Sequence, residues 1–196
     1  MTLRLAVLGD SVAFGAGASR ASQTPAQRLV AVLAVPGAVS ADLPAQVERA
    51  RSWRPDLAVV VVGANDLTRL VPPDRAAAAL GTAVRMLAST GARVVVAPAP
   101  DLSVVPHVPP AFRAIVRLGS DALRRAQVRA ATQQGALVAD AEGTTSAAFA
   151  RDPSLFSSDR FHPSGAGYAV IVAALAPVVV RAAREVLGRD RDAEAG

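Results

Sequence analysis

A three-layer α/β/α domain, with a parallel sheet between two layers of helices, is the architecture this sequence predicts. Three observations lead there. Short apolar runs rich in Val and Leu, without polar alternation, recur along the chain, as strands covered on both faces require. Longer helical patterns separate them, and this alternation builds a parallel sheet. The 196 residues suffice for one domain with a sizeable core.

The first run, Leu3–Leu8, reads as a strand and ends in Gly9-Asp10-Ser11. A loop, a crossover helix and a second strand must then fit between Ser11 and Gly37. A strand–helix–strand unit takes about 30 residues or more, so the space is tight. Leu29–Val35 reads as the helix end or as a short or displaced second strand. A helix follows over Asp42–Ser52, with Ser40 or Asp42 as cap. Leu57–Val62 is the third strand, and Pro73–Thr90 a helix with Asp74 in its first turn and Gly91 at its stop. Arg93–Ala97 is the fourth strand. Proline density from Pro98 to Pro110 excludes a helix or central strand there and leaves a semi-rigid loop carrying His107.

Ala111–Gln134 presents Phe112, Ile115, Val116, Leu123 and Ala126 to one side of a helix ended by Gly135. Ala136–Ala139 is the last strand and Ser164–Leu187 the closing helix. Its apolar centre, Ala166–Val180, contains Pro177 and reads as a buried helix too short to span a bilayer comfortably. A single domain is expected over residues 1–188, with a polar, frayed tail over 189–196. The expected strand order is flavodoxin-like, 2-1-3-4-5.

Composition removes several classes of chemistry. Without cysteine there is neither a disulfide frame nor a thiolate metal site, and His107 and His162 are too few for a multi-histidine cluster. Lysine is absent, which excludes a Schiff-base or Walker-type lysine. Gly15-Ala16-Gly17-Ala18-Ser19-Arg20 fails the dinucleotide pattern at its last position. The net charge of +5 comes from arginines scattered among acidic residues, with one Trp and one Tyr for stacking, so nucleic acid is not the expected partner. No leader precedes the first strand, and the expectation is a soluble cytoplasmic protein without stable membrane insertion, of open oligomeric state.

Three short segments carry possible chemistry. Ser11 sits beyond the end of a buried strand, where open α/β sheets bind ligands. The plainer reading is a strand-end turn in which Asp10 or Ser11 caps a helix. Val62-Gly63-Ala64-Asn65-Asp66 ends another apolar run. In Asp159-Arg160-Phe161-His162-Pro163, the proline disfavours helical geometry at His162 and can open the last helix, which leaves the imidazole in a turn. Asp159, three residues earlier, can accept the Nδ1 proton and turn Nε2 outward.

With GDS at Gly9–Ser11, GxND at Gly63–Asp66 and DxxHP at Asp159–Pro163, in that order, the chain resembles the SGNH hydrolases, also called the GDSL esterase/lipase family. The resemblance implies a serine hydrolase that cleaves small carboxylic esters through an acyl-enzyme, with no metal or organic cofactor. It makes Ser11 the nucleophile, His162 the base and Asp159 its acid. The oxyanion hole would comprise the Ser11 amide, the Asn65 side chain and the Gly37 amide, Gly37 being the one plausible match after the second strand. Asp10 and Asp66 are expected to support these residues through loop amides. His107 is expected as an exposed loop residue, with substrate contact as the alternative. A non-catalytic binding module on the same scaffold, an acyltransferase and a carbohydrate deacetylase stay open.

Overall fold

A computed structural model of the protein describes residues 3–16, 30–139 and 142–194. Its centre is a five-stranded sheet of β1 (Leu5–Gly9), β2 (Val30–Val32), β3 (Leu57–Val61), β4 (Arg93–Ala97) and β5 (Leu137–Val138). All pairings are parallel, and the order is β2-β1-β3-β4-β5. The helices are α1 (Ser11–Phe14), α2 (Leu43–Trp53), α3 (Ala64–Thr68), α4 (Pro73–Ala88), α5 (Arg113–Gln133), α6 (Glu142–Arg151) and α7 (Gly165–Glu194).

Strand side chains alternate between the two faces, and both faces are apolar. Ala6, Leu8, Ala58, Val60, Val94 and Val96 pack with Leu43 and Val47 of α2, Leu80, Val84 and Leu87 of α4, and Ala131 of α5. Leu5, Leu57, Val59 and Val95 point the other way and meet Leu175, Val178, Val179 and Ala182 of α7. Cover on both sides is why the strand sequences show no polar alternation.

The structure departs from the sequence reading in several places. The second strand is not among them: it is the short strand expected within Leu29–Val35, three residues at the sheet edge, with Leu5 paired to Val30 and Val7 to Val32; residues 17–29, where a crossover helix is expected, lie outside the described residues. Phe112 and Ile115 do not join the buried side of α5. They are 59% and 67% exposed, whereas Leu123 and Ala126 are buried. The first turns of α5 carry those residues outward, and only the later turns lie on α4 and the sheet. The closing helix is likewise not a buried one: Val172 and Val180 are exposed, and the helix continues past Leu187 to Glu194. Gly165–Gly188 is in fact long and apolar enough to cross a membrane by length and composition, with a mean hydropathy of 1.9 over its most apolar 18 residues. In the fold it lies along the sheet and is tied to β4 by an ion pair between Arg93 and Glu185, which also pairs with Arg181 one turn earlier on the same helix. Helix α6 has no counterpart in the sequence reading.

One glycine fixes how the first strand ends. Gly9 has φ 135°, and a Cβ there would lie 1.8 Å from the Val61 carbonyl oxygen. Gly9→Ala is therefore expected to cost about 3 kcal/mol or more in urea denaturation, or to prevent folding. Gly91→Ala serves as the comparison: its φ is also positive, at 90°, but the space around it is open. That substitution should cost only about 1–2 kcal/mol.

Candidate active site

Ser11 owes its position to the end of β1. The buried side chain of Gln46, on α2, accepts from the Gly9 amide at 2.7 Å and donates to the Gly9 carbonyl at 2.8 Å. Asp10 then caps the single-turn α1 by accepting from the Val12 amide at 2.9 Å. Both sequence readings of this segment therefore hold at the level of geometry: it is a capped turn, and it presents a serine. Ser11 occupies the first helical position, where the amide has no partner within the helix. The Tyr168 hydroxyl donates to the Ala16 carbonyl at 2.8 Å and ties α7 to the chain leaving α1. Burial, then the charges of Asp10 and Asp159, push the Tyr168 phenol up to about 12, so the hydroxyl remains a donor.

Asp159 and His162 lie on a tight loop closed like a hairpin. Phe156 and Pro163 form an antiparallel bridge, the Ser157 amide donates to the His162 carbonyl at 2.7 Å, and the Ser164 amide donates to the Leu155 carbonyl at 2.7 Å. At the tip, Arg160 turns the chain with φ 57°. Pro163 thus belongs to this bridge and does not open α7. Ser164 takes the capping place, its hydroxyl accepting from the Gly167 amide at 3.2 Å.

Within the loop, Asp159 Oδ1 accepts from the Ser157 hydroxyl at 2.7 Å and from the Phe161 and His162 amides, both at 2.9 Å. Its other oxygen, Oδ2, lies 2.6 Å from His162 Nδ1. His162 Nε2 lies 3.0 Å from Ser11 Oγ. With Nδ1–H donating to the carboxylate, Nε2 carries a free lone pair that accepts from the serine hydroxyl. The His162 hydrogen bond, and then the amide and hydroxyl donors, hold the Asp159 carboxyl well below the usual carboxylate range. That carboxylate is therefore ionised at neutral pH, facing the imidazole.

Gly37 and Asn65 are joined by a second set of bonds. Beyond β2 the chain stays beside β1, the Leu33 amide donating to Val7 O at 2.8 Å and the Val35 amide to Gly9 O at 3.1 Å. Gly37 follows with φ 81°. From the α3 side, Asn65 Nδ2 donates to Ala38 O at 3.1 Å and Arg69 donates to Gly37 O at 2.8 Å. The buried Asp66 carboxylate accepts from the Ser40 amide at 3.1 Å and the Ser40 hydroxyl at 2.9 Å. Burial raises the Asp66 carboxyl above its ordinary value, against the pull of those donors. Asp66 thereby fastens the Gly37 segment to the helix that bears Asn65.

Two supporting residues escape sequence reasoning, as does the bond made by a third, which is the exposed loop residue expected. Gln46 and Gln127 sit on the buried faces of amphipathic helices, and that misplaced polarity is the signal that could have found them. Gln127 does for β3 and β4 what Gln46 does for β1: it accepts from the Ala99 amide at 2.7 Å and donates to Val62 O at 3.3 Å. The third is His107, whose Nε2 donates to the Asp159 carbonyl at 2.8 Å. The proline-rich loop is thereby latched to the Asp159–His162 loop. Among the described residues, no cluster of three or more His, Asp or Glu side chains is placed to hold a metal ion.

A model of the GDSL-like Lipase/Acylhydrolase family matches residues 7–170. The GDSL-like esterase Rv1075c of Mycobacterium tuberculosis is 33% identical over 184 residues, which cover 86% of this chain and 59% of that protein. The chain thus spans well under two thirds of that relative. Among solved structures, TesA is similar with a TM-score of 0.68 and 22% identity, over 91% of this chain and 99% of that one. A variant of Axe2, an acetyl xylan esterase from Geobacillus stearothermophilus, gives a TM-score of 0.65 and 19% identity, over 89% and 97% of the two chains. At those identities the two structures speak to the fold alone.

Asp10 offers a test of how these supports weigh on the fold. Burial raises its carboxyl to about 6, against the amides of Val12, Gly63 and Ala64, which favour the charged form. Between its unfolded value near 4 and about 6 the native state binds the extra proton, so this group's contribution to stability falls as pH rises through that window. Asp10→Asn keeps an acceptor for Val12 and cannot ionise. Its stability relative to the parent should improve by up to about 3 kcal/mol between pH 4 and pH 8, read by chemical denaturation at each pH. An unchanged difference would contradict the assignment.

Proposed function

The chain belongs to the GDSL-like lipase/acylhydrolase family, and from that membership we propose that it is a carboxylic ester hydrolase working through a Ser11-bound acyl intermediate. The observation that carries this reading is the continuous run from Asp159 Oδ2 to His162 Nδ1 at 2.6 Å and from His162 Nε2 to Ser11 Oγ at 3.0 Å. A serine hydroxyl needs an adjacent base to attack at neutral pH, and a base works best when a third group fixes its tautomer.

In this mechanism Ser11 Oγ attacks the ester carbonyl carbon while its proton passes to His162 Nε2. The developing oxyanion is held by the Ser11 amide, the Gly37 amide and the second hydrogen of Asn65 Nδ2, the first being engaged by Ala38. As the intermediate collapses, the carbon–oxygen bond to the alcohol breaks and His162 returns its proton to that oxygen. Water then repeats the sequence on the acyl-enzyme, giving the carboxylic acid and free Ser11. Asp159 stays ionised throughout and stabilises the imidazolium. Asp10 and Asp66 hold Ser11 and the Gly37–Asn65 pair in register and take no proton in the cycle. An acceptor other than water would turn the same intermediate into an acyl transfer.

Ser11→Ala should lower kcat on p-nitrophenyl acetate by about 10⁴-fold or more, and adding His162→Ala to it should cost little further, because the two act as a unit. Asn65→Ala should lower kcat by about 10²–10³-fold with a smaller change in KM, as for the loss of one oxyanion donor. Wild-type turnover by Ser11→Ala would overturn the assignment.

A further inference from the structure

A cavity of about 140 Å³ runs inward from the Ser11–His162 pair, between the ends of β3 and β4 and the helices α6 and α7. The end nearest Ser11 is lined by Asp10 and Val12, its neighbours in the chain, and by Phe161 and His162, the latter hydrogen-bonded to it. Its walls are mostly apolar, with Val105, Phe149, Phe156, Ile171 and Leu175 among them, and Asp101, Thr145 and Ser146 are its polar members away from Ser11. Phe149 and Phe156 hold one side open as an edge-to-face pair with ring centroids 5.0 Å apart. Neither proton transfer nor oxyanion binding makes use of this space. Gly37 and Asn65 approach Ser11 from the β2 and α3 side, whereas most of the cavity lies along the ends of β3 and β4 and the residues that follow β4.

Given the ester hydrolase reading on which this rests, we propose that the cavity receives the acyl chain of the ester and selects linear acyl groups of about six carbons. The size follows by comparison, since an apolar protein cavity of about 150 Å³ takes up benzene, a six-carbon ligand. The acyl portion is assigned to it because that portion stays bonded to Ser11 after the alcohol departs, so it needs a place to rest and no route out. The alcohol has a route past the half-exposed Asp159–His162 loop, where the two side chains are 49% and 25% exposed. Each methylene buried in such a space is worth up to about fourfold in kcat/KM.

Two ester series test the assignment: p-nitrophenyl esters from acetate to dodecanoate, and acetate esters of alcohols of the same lengths. kcat/KM should rise at least tenfold from acetate to hexanoate, then flatten or fall beyond octanoate, while the alcohol series stays nearly level. Ile171→Phe and Val104→Phe each place a larger side chain in the cavity wall, and each should cut the ratio of kcat/KM for hexanoate over acetate at least fivefold. The wild-type profile decides the question if either variant fails to fold. A preference for acetate, a ratio unmoved in both folded variants, or length dependence in the alcohol series alone would overturn the acyl assignment and leave the ester hydrolase reading standing. Failure to turn over any ester, acetate included, overturns both.

Discussion

One hydrogen bond closes the proposed site: Ser11 Oγ to His162 Nε2, between residues 151 positions apart. Neither side chain is long, so the bond exists only where two backbones meet at one rim. The parallel sheet supplies the first of them, because β1 must end beside β3 and deliver its serine beyond both. The hairpin-like loop before α7 supplies the second, its Phe156–Pro163 bridge fixing where the imidazole begins. The remaining polar architecture keeps those two ends from drifting. Gln46 and Gln127 hold strand termini, Asp66 holds the Gly37 segment, and His107 holds the Asp159 carbonyl.

Stability and function pull against each other in these supports. Asp10 is 1% exposed and Asp66 is fully buried, and burial opposes the charge of each. An apolar residue at either place would suit the core better and leave loop amides without partners. Asp159 is the opposite case. It keeps its charge through hydrogen bonds in a partly solvated loop, where a proton-accepting imidazole gains from a fixed anion. Two buried carboxylates that hold loops and one half-exposed carboxylate that faces a histidine are two uses of the same group, separated by their surroundings.

Much of this is legible in the sequence, for reasons that can be named. Double-sided burial writes itself as uninterrupted Val and Leu, so β1, β3 and β4 are found within two residues, and right-handed crossovers leave few orders for the sheet. The residues Ser11, Asn65, Asp159 and His162 stand at strand ends or beside a proline, where a side chain is free to serve chemistry. What stays hidden depends on contacts that composition cannot express. Phe112 and Ile115 fit an amphipathic pattern, yet α5 begins beyond the body it packs on and leaves them in solvent. The edge strand β2, Val30–Val32, falls within the Leu29–Val35 run, but three residues are too few for periodicity to separate a strand from a helix end. Helix α6 lacks a strong apolar stripe, and its Phe149 finds its partner, Phe156, only in three dimensions. The latch between His107 and a backbone carbonyl leaves no trace in sequence at all.

The claim at the centre of this account is that Ser11 is a nucleophile made reactive by His162. A fluorophosphonate reads that directly, since it bonds covalently only to an activated serine, and mass spectrometry of the intact and digested protein locates the adduct. The account predicts one adduct per chain, on Ser11, with labelling slowed by several orders of magnitude in His162→Ala. Folded protein that takes up no label, or takes it up at another residue, would mean that this scaffold holds the geometry of a hydrolase without its reaction.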